Sequence, residues 1–236
     1  VTAYLPFRQA RWSTQTSGRN TRLAILHTTE GTGTAASNQA IFSSWDRVVS
    51  AHYIVGVDGV APCVRIKDIA YAAPGANHDG IQIEIIGKAA WSRTDWLTDH
   101  ALELEHVAQL LADICVDCDI PAVFLDFEAV LRGERGITTH VQITRAYPTR
   151  GNGHWDPGPG FPIDVVMARV VELLHPEPSQ EDDEMPDYMI RIGDSWDVFA
   201  CYASGKVRHL GPAEFAYLKG LNVPYADGAV GPSGEK

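Results

Sequence analysis

The side chains most able to do chemistry are concentrated between His140 and Ile163, H-V-Q-I-T-R-A-Y-P-T-R-G-N-G-H-W-D-P-G-P-G-F-P-I. His140, His154 and Asp156 lie there, the last two separated only by Trp155. Pro157, Gly158, Pro159, Gly160 and Pro162 stiffen the backbone behind Asp156. The whole stretch reads as a loop, because Pro and Gly at this density suit neither a helix interior nor a central strand. Loops held over a rigid scaffold often carry function. Imidazole and carboxylate groups are zinc ligands, and a catalytic zinc keeps three protein ligands and an open position for water. His140 and Asp156 account for two, so the third must come from elsewhere in the chain.

The elements that must position them emerge from apolar periodicity. Residues 22 to 27, Arg-Leu-Ala-Ile-Leu-His, read as a short buried strand ending at His27, followed by a Thr28 to Gly33 loop. A helix is expected from about Ala35 to Val49, with Ile41, Phe42, Trp45, Val48 and Val49 on one face. Residues 52 to 57 and 60 to 66 form a hairpin around the Asp58-Gly59 turn signal. Residues 81 to 86, Ile-Gln-Ile-Glu-Ile-Ile, are a strand with Glu84 inside an apolar run. A buried, unpaired glutamate is costly, so Glu84 sits either on a ligand-facing surface or in a salt bridge. A long helix is predicted from about Thr98 to Cys118, since Leu97, Ala101, Leu104, Val107, Leu111, Ile114 and Cys118 step by three and four. His100 and His106 fall off that stripe and read as solvated. Residues 121 to 126 read as a further strand, 133 to 136 as a loop, and 164 to 174 as a last helix. Interleaved strands and helices predict an α/β fold, a mixed central β-sheet flanked by helices, with a small C-terminal α+β module.

Composition bounds the remaining classes. The chain has 236 residues and a net charge of -11. Residues 176 to 236 hold 5 basic against 11 acidic groups, the more acidic part of the chain for its length. No basic stripe marks a nucleic-acid binder, and no apolar run suits membrane insertion. The start shows no basic leader with an apolar stretch behind it, so no secretory signal peptide is read. Cys63, Cys115, Cys118 and Cys201 are too scattered for a disulfide framework. Cys115 and Cys118 continue an apolar helix face, which favours two core thiols over a redox or metal pair. Residues 176 to 186, with three prolines and five acids, form a linker between a 1 to 175 domain and a 187 to 236 module. In that module a hairpin is expected over residues 188 to 207 and a short helix over 212 to 221.

With His27 ending one strand, Glu84 inside another and the 140 to 156 segment brought over the same sheet edge, the chain resembles the zinc-dependent N-acetylmuramoyl-L-alanine amidases, the fold of phage endolysins and peptidoglycan recognition proteins. L-A-I-L-H-T-T-E-G, A-H-Y-I-V-G-V-D-G-V, G-A-N-H-D-G-I-Q-I-E-I-I-G, and T-H-V-Q-I-T-R with H-W-D-P-G-P-G-F-P carry the match, in this order, over roughly residues 20 to 175. The resemblance implies a Zn2+ held by His27, His140 and Asp156, with Glu84 as general base or acid. His154 stands where many members have a lysine that steadies the oxyanion; a histidine there is a departure, because its charge depends on pH near neutrality. Where another branch has a tyrosine before the hairpin histidine, this chain has Ala51, which leaves the proton work to Glu84. Thr28 and Asn77 are expected at the substrate. His52 is read as a structural hydrogen-bonding residue, and His78, His175 and His209 as structural.

The implied reaction is cleavage of the amide between N-acetylmuramic acid and L-alanine of peptidoglycan. A non-hydrolytic peptidoglycan-binding protein and a zinc peptidase cutting within the stem peptide are the alternatives. An endolysin of this kind is held in the host cytoplasm until released to the wall. The C-terminal segment G-K-V-R-H-L-G-P-A-E-F resembles tails of actinophage lysins, for which wall binding and self-association both stand open.

Overall fold

A computed structural model describes residues 3–150, 153–175, 186, 188–191, 198–201, 207–210, 219 and 223–227. The chain divides into two compact units, Val1–His175 and Pro176–Lys236. In the first, the elements run β1 (Leu23–Thr28), α1 (Ala35–Ser44), β2 (Tyr53–Gly56), β3 (Gly59–Pro62), β4 (Gly80–Ile85), α2 (Arg93–Asp99), α3 (Ala101–Asp117), α4 (Phe127–Leu131), β5 (Gly136–Thr139), α5 (His140–Ala146) and α6 (Ile163–Leu174). The sheet order is β3-β2-β4-β1-β5. β1 runs parallel to β4 and β5, β2 parallel to β4, and β3 antiparallel to β2, so the sheet is mixed as expected.

β1 is buried at every position, as a central strand covered on both faces must be. Its alternation divides two cores. Ala24 and Leu26 join Ile81, Ile83 and Ile85 of β4 against α3 and α6. Leu23 and Ile25 join Leu125, Val130, Ile143 and Ala146 on the other side. By the same period of two, His27 of β1 and Gln82 and Glu84 of β4 share the second face. The parallel register places His27 opposite Glu84. Both lie one residue from the carboxyl ends of their strands, the edge at which open α/β sheets present their ligand sites.

Several boundaries differ from the sequence reading. The stretch opening at His140 is not all loop: residues 140–146 form α5, about two turns of helix directly after β5, and the chain is irregular only beyond Ala146. The helix expected from 35 to 49 stops at Ser44, where Trp45 turns extended at ψ 140. The helix expected from 98 to 118 is two helices, broken at His100 (φ -125, ψ 22). The break lets Trp96 bury fully, and the His100 ring stacks on Trp91 with centroids 3.9 Å apart. His100 and His106 are only partly exposed and are hydrogen-bonded rather than fully solvated: His100 Nδ1 lies 3.1 Å from Glu103 Oε1, and His106 Nδ1 lies 2.8 Å from the Gly56 carbonyl. Residues 121 to 126 form no strand, only a single bridge from Phe124 to Ile137. The loop expected from 133 to 136 gives way at Gly136 to β5, and α4, which precedes it, is absent from the sequence reading. Cys115 belongs to the core, with Cys118 packed against it.

The second unit holds β6 (Tyr188–Arg191), β7 (Val198–Cys201), β8 (Val207–Leu210) and β9 (Tyr225–Asp227) in the order β8-β7-β6-β9. The β6–β7 pair is the expected hairpin. Met189, Val198, Ala200, Leu210 and Val223 form its core. The expected linker, apart from Pro186, and the expected 212 to 221 helix, apart from Lys219, lie outside the described residues, as does the side chain of His209.

Candidate metal centre

Three side chains from three elements converge at the carboxyl edge of the sheet. His27 comes from β1, His140 from the first residue of α5, and Asp156 from the loop beyond it. The Val141 N–H donates to the Asp156 carbonyl at 3.0 Å, which ties that loop to the start of α5. The three are 2%, 2% and 6% exposed, so charges among them are screened less than at the surface. His27 Nδ1 lies 3.0 Å from His140 Nδ1 and 3.5 Å from Asp156 Oδ2. His140 Nδ1 lies 3.1 Å from Asp156 Oδ1. These three residues could hold a metal ion.

The arrangement fits a cation on two counts. Two ring nitrogens and a carboxylate point inward together, which is a zinc donor set. His140 Nε2 is buried and has no hydrogen-bond partner. A neutral ring carrying its proton there turns the Nδ1 lone pair inward, toward the other two donors.

His27 is oriented from behind. Its Nε2 lies 2.9 Å from Gln82 Oε1, which can only accept a hydrogen bond, so Nε2 carries the ring proton and Nδ1 is left as a donor atom. Gln82 is fully buried and is braced in turn. Its N–H donates to His52 Nδ1 at 2.8 Å, and the His52 N–H donates back to the Gln82 carbonyl at 2.9 Å. Burial and the neighbouring Arg19 guanidinium push His52 down to about 3, so its ring is neutral and structural, as read from sequence. Gln82 and Arg19 are absent from the sequence reading. Their signal was faint: Gln82 alternates with Glu84, so both had to share one face.

The electrostatics reflect crowding. Burial and the charge of His27 push His140 down to about 4. Burial lowers His27 as well, but the bond to Asp156 and the charges of Glu84 and Asp156 carry it above its ordinary value. Burial opposes ionisation of Asp156, yet the bonds from His140 and His27 hold it well below the usual carboxylate range. Glu84 moves the other way. Burial, with the charges of Asp156 and Glu30 added and that of His27 opposing, raises it to about 7. Its Oε2 is buried without a partner. A carboxyl poised near neutrality can both take and give a proton.

The other predicted residues line the same cleft, which has a volume of about 560 Å³. His154 is exposed at its rim, stacks on His140 with centroids 4.2 Å apart, and places Nδ1 3.3 Å from Asp156 Oδ1. It lies outside the converging trio. The Thr28 N–H points at Asp156 Oδ2 at 3.4 Å, and its hydroxyl donates to Glu30 at 2.7 Å. Asn77 Oδ1 accepts from the Ala72 and Ala73 N–H groups, so it braces the cleft wall as well as lining it. His78 and His175 do not line the cleft.

No curated protein matches the chain by sequence. Among solved structures, the fold is similar to Staphylococcus aureus hydrolase AmiA in complex with its ligand, at 12% identity and a TM-score of 0.54, covering 73% of this chain and 86% of that one. It also matches PlyL at 12% identity and a TM-score of 0.48, covering 72% and 96%. The N-acetylmuramoyl-L-alanine amidase LysC of Clostridium intestinale matches at 12% identity and a TM-score of 0.45, covering 71% and 98%. Residues 17–159, more than half of the chain, match the family described as N-acetylmuramoyl-L-alanine amidase, and the chain belongs to that family.

Proposed function

We propose that this amidase is zinc-dependent, that it cleaves the bond between N-acetylmuramic acid and L-alanine, and that it serves as an endolysin. The observation that carries the zinc reading is the convergence of His27, His140 and Asp156 in one cleft with Glu84, whose Oε2 is buried without a partner. Zinc, when bound, supplies the Lewis acidity that makes water a nucleophile near neutral pH. His27, His140 and Asp156 would hold it. Glu84 takes a proton from the attacking water and passes it to the leaving nitrogen of L-alanine, so one carboxyl serves as base and then acid. The His154 ring, at the open rim, donates a hydrogen bond to the scissile carbonyl oxygen as negative charge builds there. Thr28 and Asn77 line the substrate's path. The endolysin role rests on the resemblance of the G-K-V-R-H-L-G-P-A-E-F segment to lysin tails, and release to the wall from a host cytoplasm goes with it.

Two substitutions test the division of labour. Glu84→Gln retains one equivalent of zinc and loses roughly 10²–10⁴-fold in turnover. Asp156→Ala loses the zinc itself. Near-full turnover in the first removes Glu84 from the mechanism, and full zinc in the second refutes the ligand set.

A further inference from the structure

Beyond the metal centre, the cleft is walled by the end of α1 and the segment after it. Ile41, Trp45 and Val48 are 46%, 38% and 59% exposed there, a high exposure for large apolar side chains. This wall has little structure of its own. α1 ends at Ser44, and residues 45 to 49 make one short turn, Val49 N–H to the Arg47 carbonyl.

Its support comes from the N-terminal segment, before the family match begins at residue 17. The Trp12 indole N–H donates to the Trp45 carbonyl at 3.0 Å. The Arg11 guanidinium donates to the Ser44 carbonyl at 3.3 Å and pairs with Asp46 at 2.7 Å, and its backbone N–H donates to the Phe42 carbonyl at 2.9 Å. Two residues on, Thr14 bonds the hydroxyl of Tyr71, which lines the cleft beside Val49, while the Thr14 backbone pairs with Ile69. One short segment thus holds both parts of one wall from behind, and none of its residues lines the cleft.

We propose that the exposed apolar side chains of this wall, in the same cleft as the metal centre, receive the peptide stem that runs on from the scissile amide, and that the strap, residues 11 to 14, sets their position and so governs selection for the stem rather than the chemical step. Trp12, Arg11 and Thr14 are positioning residues. The inference rests on the amidase reading. A donor removed from behind the wall loosens it without touching the amide at the metal centre. Such a change raises KM and spares kcat, the mark of lost uniform binding.

The test uses the zinc-loaded full chain with Trp12→Phe, which keeps an aromatic ring and deletes the N–H, and with Thr14→Val. Each is assayed on a muropeptide bearing a full peptide stem and on N-acetylmuramoyl-L-alanine amide, which keeps only the first stem residue. The expected result is KM raised roughly three- to tenfold for the full-stem substrate, kcat unchanged, and no change in either constant for the short one. Arg11→Gln repeats the effect and Arg11→Lys, which keeps the pair with Asp46, restores most of it. Equal losses on both substrates, or a lowered melting temperature with no change in the ratio, overturn the assignment and leave the strap as edge packing. Wild-type protein that cleaves neither substrate sinks the amidase reading itself, and with it this one.

Discussion

At His27 the two ring nitrogens face opposite ways: Nδ1 toward His140 and Asp156, Nε2 toward Gln82. The buried carboxamide therefore decides which nitrogen is free to bind metal. Replacing it with an apolar group of similar size leaves the sheet packed but lets the ring change tautomer. We expect Gln82→Leu to fold and to weaken zinc binding about 10–100-fold, measured by competition with a chelator of known affinity. Unchanged affinity means the ring is held by packing alone. The proposed ligands and Glu84 stood out in the sequence because each sits in a segment with distinctive neighbours: histidine ending an apolar strand, glutamate inside one, T-H-V-Q-I-T-R, and H-W-D ahead of a proline run. Gln82 could not, because a glutamine in an alternating strand looks like any half-buried polar position, and its task depends on a partner 55 residues away.

At the scale of elements, three parallel strands bring the site together: β1 carries His27, β4 carries Glu84, and β5 hands directly to His140. β1 and β4 were legible because six residues of buried or alternating apolar character form a clear pattern. β5 was not, at four residues that include two threonines and a glycine. The end of α1 was misplaced because Trp45 and Val48 extend its apolar stripe in sequence, while in the fold they serve the cleft. The loop that carries Asp156 is pinned by its glycines. Gly158 has φ +86, and a Cβ there would sit 1.9 Å from the Ala89 carbonyl oxygen. The backbone at Ala89 is itself fixed, its N–H donating to Glu30 at 2.8 Å. Gly158→Ala should cost about 1–3 kcal/mol in denaturant unfolding and weaken zinc binding through Asp156. A variant as stable as the parent would show that the loop has room to shift.

For the whole molecule, the first unit carries every residue of the site and its own cores, and the second has a separate small core around Met189, Ala200 and Leu210. Among the described residues, no helix is long and apolar enough to cross a membrane. A chain ending at His175 should fold and hydrolyse soluble muropeptides as the full chain does, with any loss confined to intact walls. An insoluble or inactive truncation would make the second unit part of the first one's core. The acidity of residues 176 to 236 gives no electrostatic help toward an anionic wall. The most direct test of the whole account is digestion of purified peptidoglycan by the full chain, with and without a chelator, and mass analysis of the products. The account predicts stem peptides that begin with L-alanine and glycan left with free lactyl groups, both abolished by chelation and restored by zinc. Cuts within the stem, or the same products from metal-stripped protein, would contradict it.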